Sequence, residues 1–269
     1  MIPIFDAHIH LDQYSDEELH QFFSRDLVTL KGMISVSFNL ASCKRNLELS
    51  HKYSPLVKCA FGYHPEQTLP SDSEMADLLN WMHRHLDDMT AVGEVGLPYY
   101  LRQKNPQLNR DHYAEILEEF IKAAVLWDKP IVLHAVYDDA PFVCDLLEKH
   151  NISRAHFHWF KGDPVTTERM ARNGYYVSIT PDVLYEREIQ KLAASYPIQQ
   201  LMVETDGPWP FEGPFTGQMT HSIMIHQSLS AIAEVKQLTI ESVYSLIYKN
   251  SLRFYSVSES CYEQQKKDL

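Results

Sequence analysis

Asp6-Ala7-His8-Ile9-His10 stands at the end of the first strand-like run of the chain. Residues two apart in a strand point to one face, so His8 and His10 converge on one point. Two convergent imidazoles suit a divalent ion of the zinc, manganese or iron kind. Asp6 has the same parity one step deeper, where a carboxylate can support ligating imidazoles. Read alone, the pair is equally a set of surface histidines on a sheet edge. Later strand ends repeat the chemistry: His64 after Gly62-Tyr63, Glu94 after Gly93, His134 after Val132-Leu133, His156 and His158 around Phe157, and Glu204 and Asp206 around Thr205. Chance is a poor account of imidazoles and carboxylates at successive strand ends. The remaining histidines (His20, His51, His83, His85, His112, His150, His221, His226) fall in loops or helices, where solvated or packing roles are expected.

The elements that must position these groups are legible as an alternation. Strand-like runs cover 4–7, 32–38, 57–63, 90–95, 130–135, 155–159, 175–180 and 201–205. Between them lie stripes at three- and four-residue spacing, such as Tyr113, Ile116, Leu117, Phe120, Ala124 and Trp127, and the shorter Phe142, Cys144, Leu146 and Leu147. Ser15, Ser71 (with Glu74 three residues on), Asp163 and Thr239 read as helix N-caps. Strands alternating with helices imply a parallel sheet with crossover helices. Such an alternation in this length fits an eight-stranded β/α (TIM) barrel, whose usual size is about 250 residues and whose site lies at the C-terminal strand ends. A doubly wound open sheet is the alternative, but no Gly-x-Gly-x-x-Gly opens a helix. The Pro-, Gly- and aromatic-rich stretch 206–217 reads as a long loop over the barrel mouth. Residues 1–258 are read as a single barrel domain and 259–269 as a polar tail that frays.

Composition narrows the class further. The 269 residues are 45% hydrophobic, ordinary for a globular protein. Cys43, Cys59, Cys144 and Cys261 are scattered and fit a reducing compartment. The first residues lack the basic and apolar segments of a signal peptide, and no apolar run approaches a membrane span. A cytoplasmic protein with no membrane partner is expected; oligomeric state is not legible. The net charge of −12 argues against broad electrostatic binding of duplex nucleic acid, although bound cations would reverse the sign locally.

The chain resembles the TatD-type metal-dependent hydrolases, a branch of the amidohydrolase superfamily. The resemblance rests on Asp6-Ala-His-Ile-His10, Gly62-Tyr-His-Pro65, Gly93-Glu-Val-Gly-Leu97, Val132-Leu-His-Ala135, His158-Trp-Phe-Lys-Gly162, Glu204-Thr-Asp-Gly-Pro208 and Asn250-Ser-Leu-Arg-Phe254, in family order across nearly the whole chain. It implies a β/α barrel with two divalent metal ions (Zn, Mn, Mg or Fe). One ion would take His8, His10, Glu94 and Asp206; the other Glu94, His134 and His158. Glu94 would bridge them, Asp206 would be the base for the attacking water, and His64 would contact the scissile phosphate or steer the leaving group.

His156 and Glu204 lie one layer deeper than His158 and Asp206. Glu204 is expected to accept a hydrogen bond from a ligating histidine, and His156 to be a buried, hydrogen-bonded core residue. Trp159, Trp209, Tyr99 and Tyr100 could stack on unpaired bases or pack loops onto the rim. Two departures bear on substrate. Pro98 stands where the family usually has Asp, and the stretch after His134 lacks the family's Arg, which would recognise phosphate. Lys161, Arg102, Lys104 and Arg110 are possible replacements. The leading expectation is a deoxyribonuclease acting on DNA ends or single-stranded DNA. The second is a hydrolase of a small ester, lactone or cyclic amide, and the third a non-catalytic scaffold.

Overall fold

Apolar runs alternating with capped amphipathic helices fold as eight parallel strands: β1 Ile4–Ile9, β2 Leu30–Ser35, β3 Val57–Phe61, β4 Met89–Gly96, β5 Ile131–His134, β6 Ala155–Phe157, β7 Tyr176–Ile179 and β8 Leu201–Val203. The computed structural model of the chain describes residues 2–25 and 27–258; the expected tail 259–269 lies outside the described residues. Each strand pairs in parallel with the next, in chain order. The first and last strands meet at the mouth, where the Asp206 N–H donates to the His8 carbonyl at 2.9 Å and the His10 N–H to the Gly207 carbonyl at 2.8 Å. The sheet is thus a nearly closed β/α barrel.

Side chains sort into two layers by strand alternation. Ile4, Met33, Cys59, Phe61, Val92, Ile131, Leu133 and Val203 face the surrounding helices. Phe5, Ala7, Ile34, Ala60, Ala91, Val132 and Met202 fill the barrel interior with Leu252, Phe254 and Tyr255. Those three belong to the last helix, Ile240–Tyr255. Asn250 of that helix donates to the carbonyls of Ile198 and Leu201 at 2.7 Å, tying it to the entry of β8. The helix therefore packs at the end of the barrel opposite the mouth.

All four expected caps form. Ser15 and Ser71 make reciprocal capping boxes with Glu18 and Glu74, while Asp163 and Thr239 accept N–H groups of the helices that follow them. Tyr113, Leu117, Phe120 and Ala124 form the buried stripe of the helix Arg110–Leu126. No described helix is long and apolar enough to cross a membrane.

Several strands end earlier than their apolar runs. β3 stops at Phe61, β6 at Phe157 and β8 at Val203, so His64, His158 and Asp206 stand beyond the ladder. There the backbone turns away from strand geometry: Trp159 and Asp206 have φ of 37° and 48°. The left-handed region is costly for most residues but tolerated by Asp, and it turns the Asp206 carboxylate back over the mouth. Gly207 follows because a Cβ there would strike the Tyr14 hydroxyl.

Candidate metal centre

Two ladder irregularities aim the central groups. On β1, Asp6 pairs with Met33 and Ile9 with Ser35, so a three-residue advance on β1 matches a two-residue advance on β2. On β4, Val92 pairs with Ile131 and Val95 with Leu133, the same mismatch against β5. An extra residue in one strand is a bulge, which re-aims side chains. Val92 faces the helices, so plain alternation would carry Glu94 outward with it. The bulge brings Glu94 inside, and the β1 bulge does the same for His8.

The β1 bulge also corrects the reading of Asp6. Asp6 pairs with the outward-facing Met33 and does not lie beneath the imidazoles. Its carboxylate accepts hydrogen bonds from the Thr205 N–H (3.0 Å), the Thr205 hydroxyl (2.6 Å) and the Ser222 hydroxyl (2.6 Å). Asp6 fastens β1 to the chain leaving β8. Burial pushes its carboxyl up to about 6, with the hydroxyl groups holding it lower than burial alone would.

The centre is organised around the fully buried Glu94. Its Oε2 lies 3.1 Å from His8 Nε2 and 3.2 Å from His10 Nε2. Asp206 Oδ1 lies 3.3 and 3.4 Å from the same two nitrogens. The other oxygen, Oε1, lies 2.7 Å from His158 Nε2, 2.9 Å from His134 Nδ1 and 3.1 Å from His64 Nε2. Among the described residues, Glu94 Oε2 and Asp206 Oδ1 are buried without a hydrogen-bond donor. Such atoms are costly unless positive charge is shared among them. Imidazole and carboxylate donors converging at these distances fit divalent cations, and His8-His10-Glu94 and His64-Glu94-His134 each form a compact ligand cluster.

Without a cation, protons respond to the same field. Burial disfavours charge on His10, but the Asp206 and Glu94 carboxylates outweigh it and raise its pKa to about 10. Burial likewise opposes, and carboxylate neighbours overcome it in raising, the pKa of His134 and His158. Glu94 and Asp206 stay below the usual carboxylate range, because the imidazoles outweigh burial. His64 goes the other way: burial pushes it down to about 4. Its ring stacks on Phe38 at 4.3 Å, and its Nδ1 accepts the Glu66 N–H at 3.1 Å, which leaves the neutral ring's proton on Nε2.

The deeper pair separates as expected in part. His156 is fully buried, its ring bridging the Tyr255 hydroxyl (2.9 Å) and the Ser178 hydroxyl (2.6 Å). Glu204 Oε1 accepts the Trp159 N–H at 2.7 Å and Oε2 the Ser178 hydroxyl at 2.6 Å. His158 Nδ1 is 3.7 Å from Glu204, longer than a hydrogen bond. Glu204 acts mainly on the turn that carries His158.

A cleft of about 780 Å³ opens over these groups, lined by His10, His64, His134, His158 and Asp206 together with Phe38, Tyr100, Trp159, Trp209, Lys104 and Lys161. Trp159 packs against Phe211 and donates its indole N–H to Asp182 at 2.8 Å, which is the loop-packing role. Trp209 and Tyr100 are 55% and 44% exposed. Of the cations considered as phosphate partners, Arg102 pairs with Asp138 (2.9 Å) and Asp139 (3.2 Å), and Arg110 lies 4.0 Å from Asp139. Only Lys104 and Lys161 of that set line the cleft.

Sequence reasoning missed Glu66. It sits in the loop after β3, with Oε1 3.3 Å from His134 Nε2, and it accepts the N–H groups of Tyr100 (2.8 Å) and Leu101 (2.7 Å). The signal available was its position two residues after His64. The short helix Tyr99–Lys104, which forms one wall of the cleft, was also not anticipated.

A parallel barrel with converging imidazoles and carboxylates at its mouth defines the class of barrel hydrolases. The family described as TatD related DNase matches residues 5–256. A Haemophilus influenzae protein named an uncharacterized metal-dependent hydrolase is 41% identical over 252 residues, covering 94% of this chain and 99% of that one. Human deoxyribonuclease TATDN3 is 26% identical over 266 residues, covering 94% and 95%. The crystal structure of the Escherichia coli TatD homologue YjjV superposes with a TM-score of 0.84 at 24% identity, covering 95% of this chain and 98% of that one. A Campylobacter jejuni dihydroorotase shares the fold at a TM-score of 0.60 and 12% identity, covering 96% and 84%. The chain belongs to the TatD family and is a metal-dependent hydrolase.

Proposed function

We propose that this chain is a phosphodiesterase that hydrolyses DNA ends or single-stranded DNA, using two divalent cations. The observation that carries the reading is the division of Glu94, one oxygen toward His8 and His10 and the other toward His134 and His158. His8, His10, Asp206 and Glu94 Oε2 would hold one cation; His134, His158 and Glu94 Oε1 the other. The mixed imidazole and carboxylate set suits Zn²⁺, Mn²⁺ or Fe²⁺, with Mg²⁺ a weaker fit. Bound cations would supply Lewis acidity toward a phosphoryl oxygen and acidify water.

The chain's own groups do the rest. Asp206, an ionised carboxylate at the cleft floor, orients the attacking water and accepts its proton. His64 presents an Nε2–H to a phosphoryl or leaving oxygen. Trp209 and Tyr100 offer exposed rings to unpaired bases, and Lys104 and Lys161 offset backbone charge. The cytoplasmic setting expected from cysteine usage agrees with such a role.

A second reading, hydrolysis of a small ester, lactone or cyclic amide, is favoured by the cleft lining, where no described arginine takes part. Purified protein supplied with Mg²⁺, Mn²⁺ or Zn²⁺ is expected to shorten labelled single-stranded DNA, and Asp206→Asn to lower kcat by about 10²–10⁴-fold. Metal-loaded protein that leaves DNA intact but turns over an ester or lactone panel would decide for the second reading.

A further inference from the structure

We propose that Glu66 is a positioning residue for His134, holding its ring so that Nδ1 presents a lone pair to the cation pair; this rests on the metal-binding reading above. His134 Nδ1 faces the centre, 2.9 Å from Glu94 Oε1 and 3.2 Å from His158 Nε2. Its opposite nitrogen, Nε2, is 3.3 Å from Glu66 Oε1. A carboxylate at that distance accepts a proton on Nε2, and the ring then carries its free lone pair on Nδ1, pointing inward.

Glu66 itself is held by backbone. Pro98 occupies the N-cap position of the helix Tyr99–Lys104 and makes no side-chain cap. Its ring has no acceptor, so the first amides of that helix need one from elsewhere. Glu66 reaches across from the loop after β3 and accepts the Tyr100 and Leu101 N–H groups, the second and third helical positions that an N-cap side chain would serve. One carboxylate therefore ties the cleft wall to His134. The backbone N–H of the same residue meets His64 Nδ1 at 3.1 Å, so Glu66 orients two imidazoles from one point. Glu66 thus supplies the cap acceptor that Pro98 lacks, and the same carboxylate contacts His134.

Three proteins test the assignment: wild type, Glu66→Ala, and Glu66→Ala combined with Pro98→Asp. The last supplies a local cap without Glu66. Zn²⁺ affinity is read by chelator competition, the thermal midpoint by circular dichroism, and the His134 tautomer by long-range ¹H–¹⁵N correlation. Glu66→Ala is expected to weaken one of the two cations by about 10–100-fold and to lose the Nε2–H signature of His134. Adding Pro98→Asp should raise the midpoint while affinity stays low. Unchanged affinity in Glu66→Ala, a retained tautomer, or recovery of affinity with Pro98→Asp would each overturn the assignment. Wild-type protein that takes up no Zn²⁺ would instead sink the metal-binding reading, and this one with it.

Discussion

His8-Ile9-His10 at the end of β1 and His156-Phe157-His158 at the end of β6 have the same spacing, yet their imidazoles meet different surroundings. Both rings of the first pair converge, with Nε2 atoms 3.4 Å apart beside Glu94 and Asp206. The second pair divides: His158 reaches Glu94, while His156 stays one layer deeper between Tyr255 and Ser178. Height along the barrel axis makes the difference. The β1 bulge turns His8 inward beside His10, whereas β6 pairs with β5 without a register shift, so its alternation leaves His156 deeper in the barrel than His158. A His-x-His spacing therefore identifies a face, and register decides whether both rings reach the same ion.

The sharpest way to break this comparison is to remove one ring from each pair. His10→Ala is expected to lower affinity for its cation by more than ~10²-fold, beyond what loss of a supporting contact costs. His156→Gln is expected to keep full metal content and to lose about 1–3 kcal/mol of stability, because buried hydroxyl partners are left poorly satisfied. Elemental analysis and denaturant unfolding of both variants read the two quantities. Metal loss in His156→Gln would abolish the distinction.

Titration of chelator-treated protein gives a smaller effect with opposite signs. His10, raised from 6.5 to about 10, binds more protons folded than unfolded between those values. Its contribution is fully present below pH 6.5 and is lost as pH rises through about 10. His156 is held well below 6.5, burial first and then the neighbouring imidazoles. The unfolded chain protonates there before the folded one, so its contribution is present above 6.5 and declines as pH falls. Unfolding free energies across pH 5–10 should therefore lose part of their alkaline slope in His10→Gln, with His134 and His158 keeping the rest, and part of their acid slope in His156→Gln. Parallel profiles would contradict the two environments.

The smallest effect concerns the aromatics that follow these groups. Trp159, next to His158, is packed, whereas Trp209, just after Asp206, is 55% exposed. Trp209→Ala is expected to raise KM for single-stranded DNA roughly fivefold, equivalent to about 1 kcal/mol of lost stacking, with the thermal midpoint unchanged. A shift in midpoint without a change in KM would assign Trp209 to loop packing.

Much of this is legible in the sequence. The helix caps at Ser15, Ser71, Asp163 and Thr239 are local chemistry, and local chemistry is written in adjacent residues. The barrel followed from alternation of apolar periods, and the centre from polar residues at the ends of those periods. Asp6 was misplaced because alternation counted from a regular strand cannot register an inserted residue. Glu66 went unseen because a lone carboxylate in a loop carries no period. Arg102 and Arg110 are possible phosphate partners by charge alone, and Asp138 and Asp139 claim them in space.

By itself, the sequence determined which donors exist, their order along the chain, and the strand ends that present them. Those properties depend on residue type and short-range spacing alone. Tertiary structure decided which donors share an oxygen of Glu94, because that depends on register between strands far apart in sequence. It set His8 and Glu94 inward through bulges, turned Asp6 outward onto Thr205 and Ser222, and brought Glu66 to His134 across the mouth. The nearly closed ring of strands is what converts a one-dimensional series of histidines and carboxylates into a single centre.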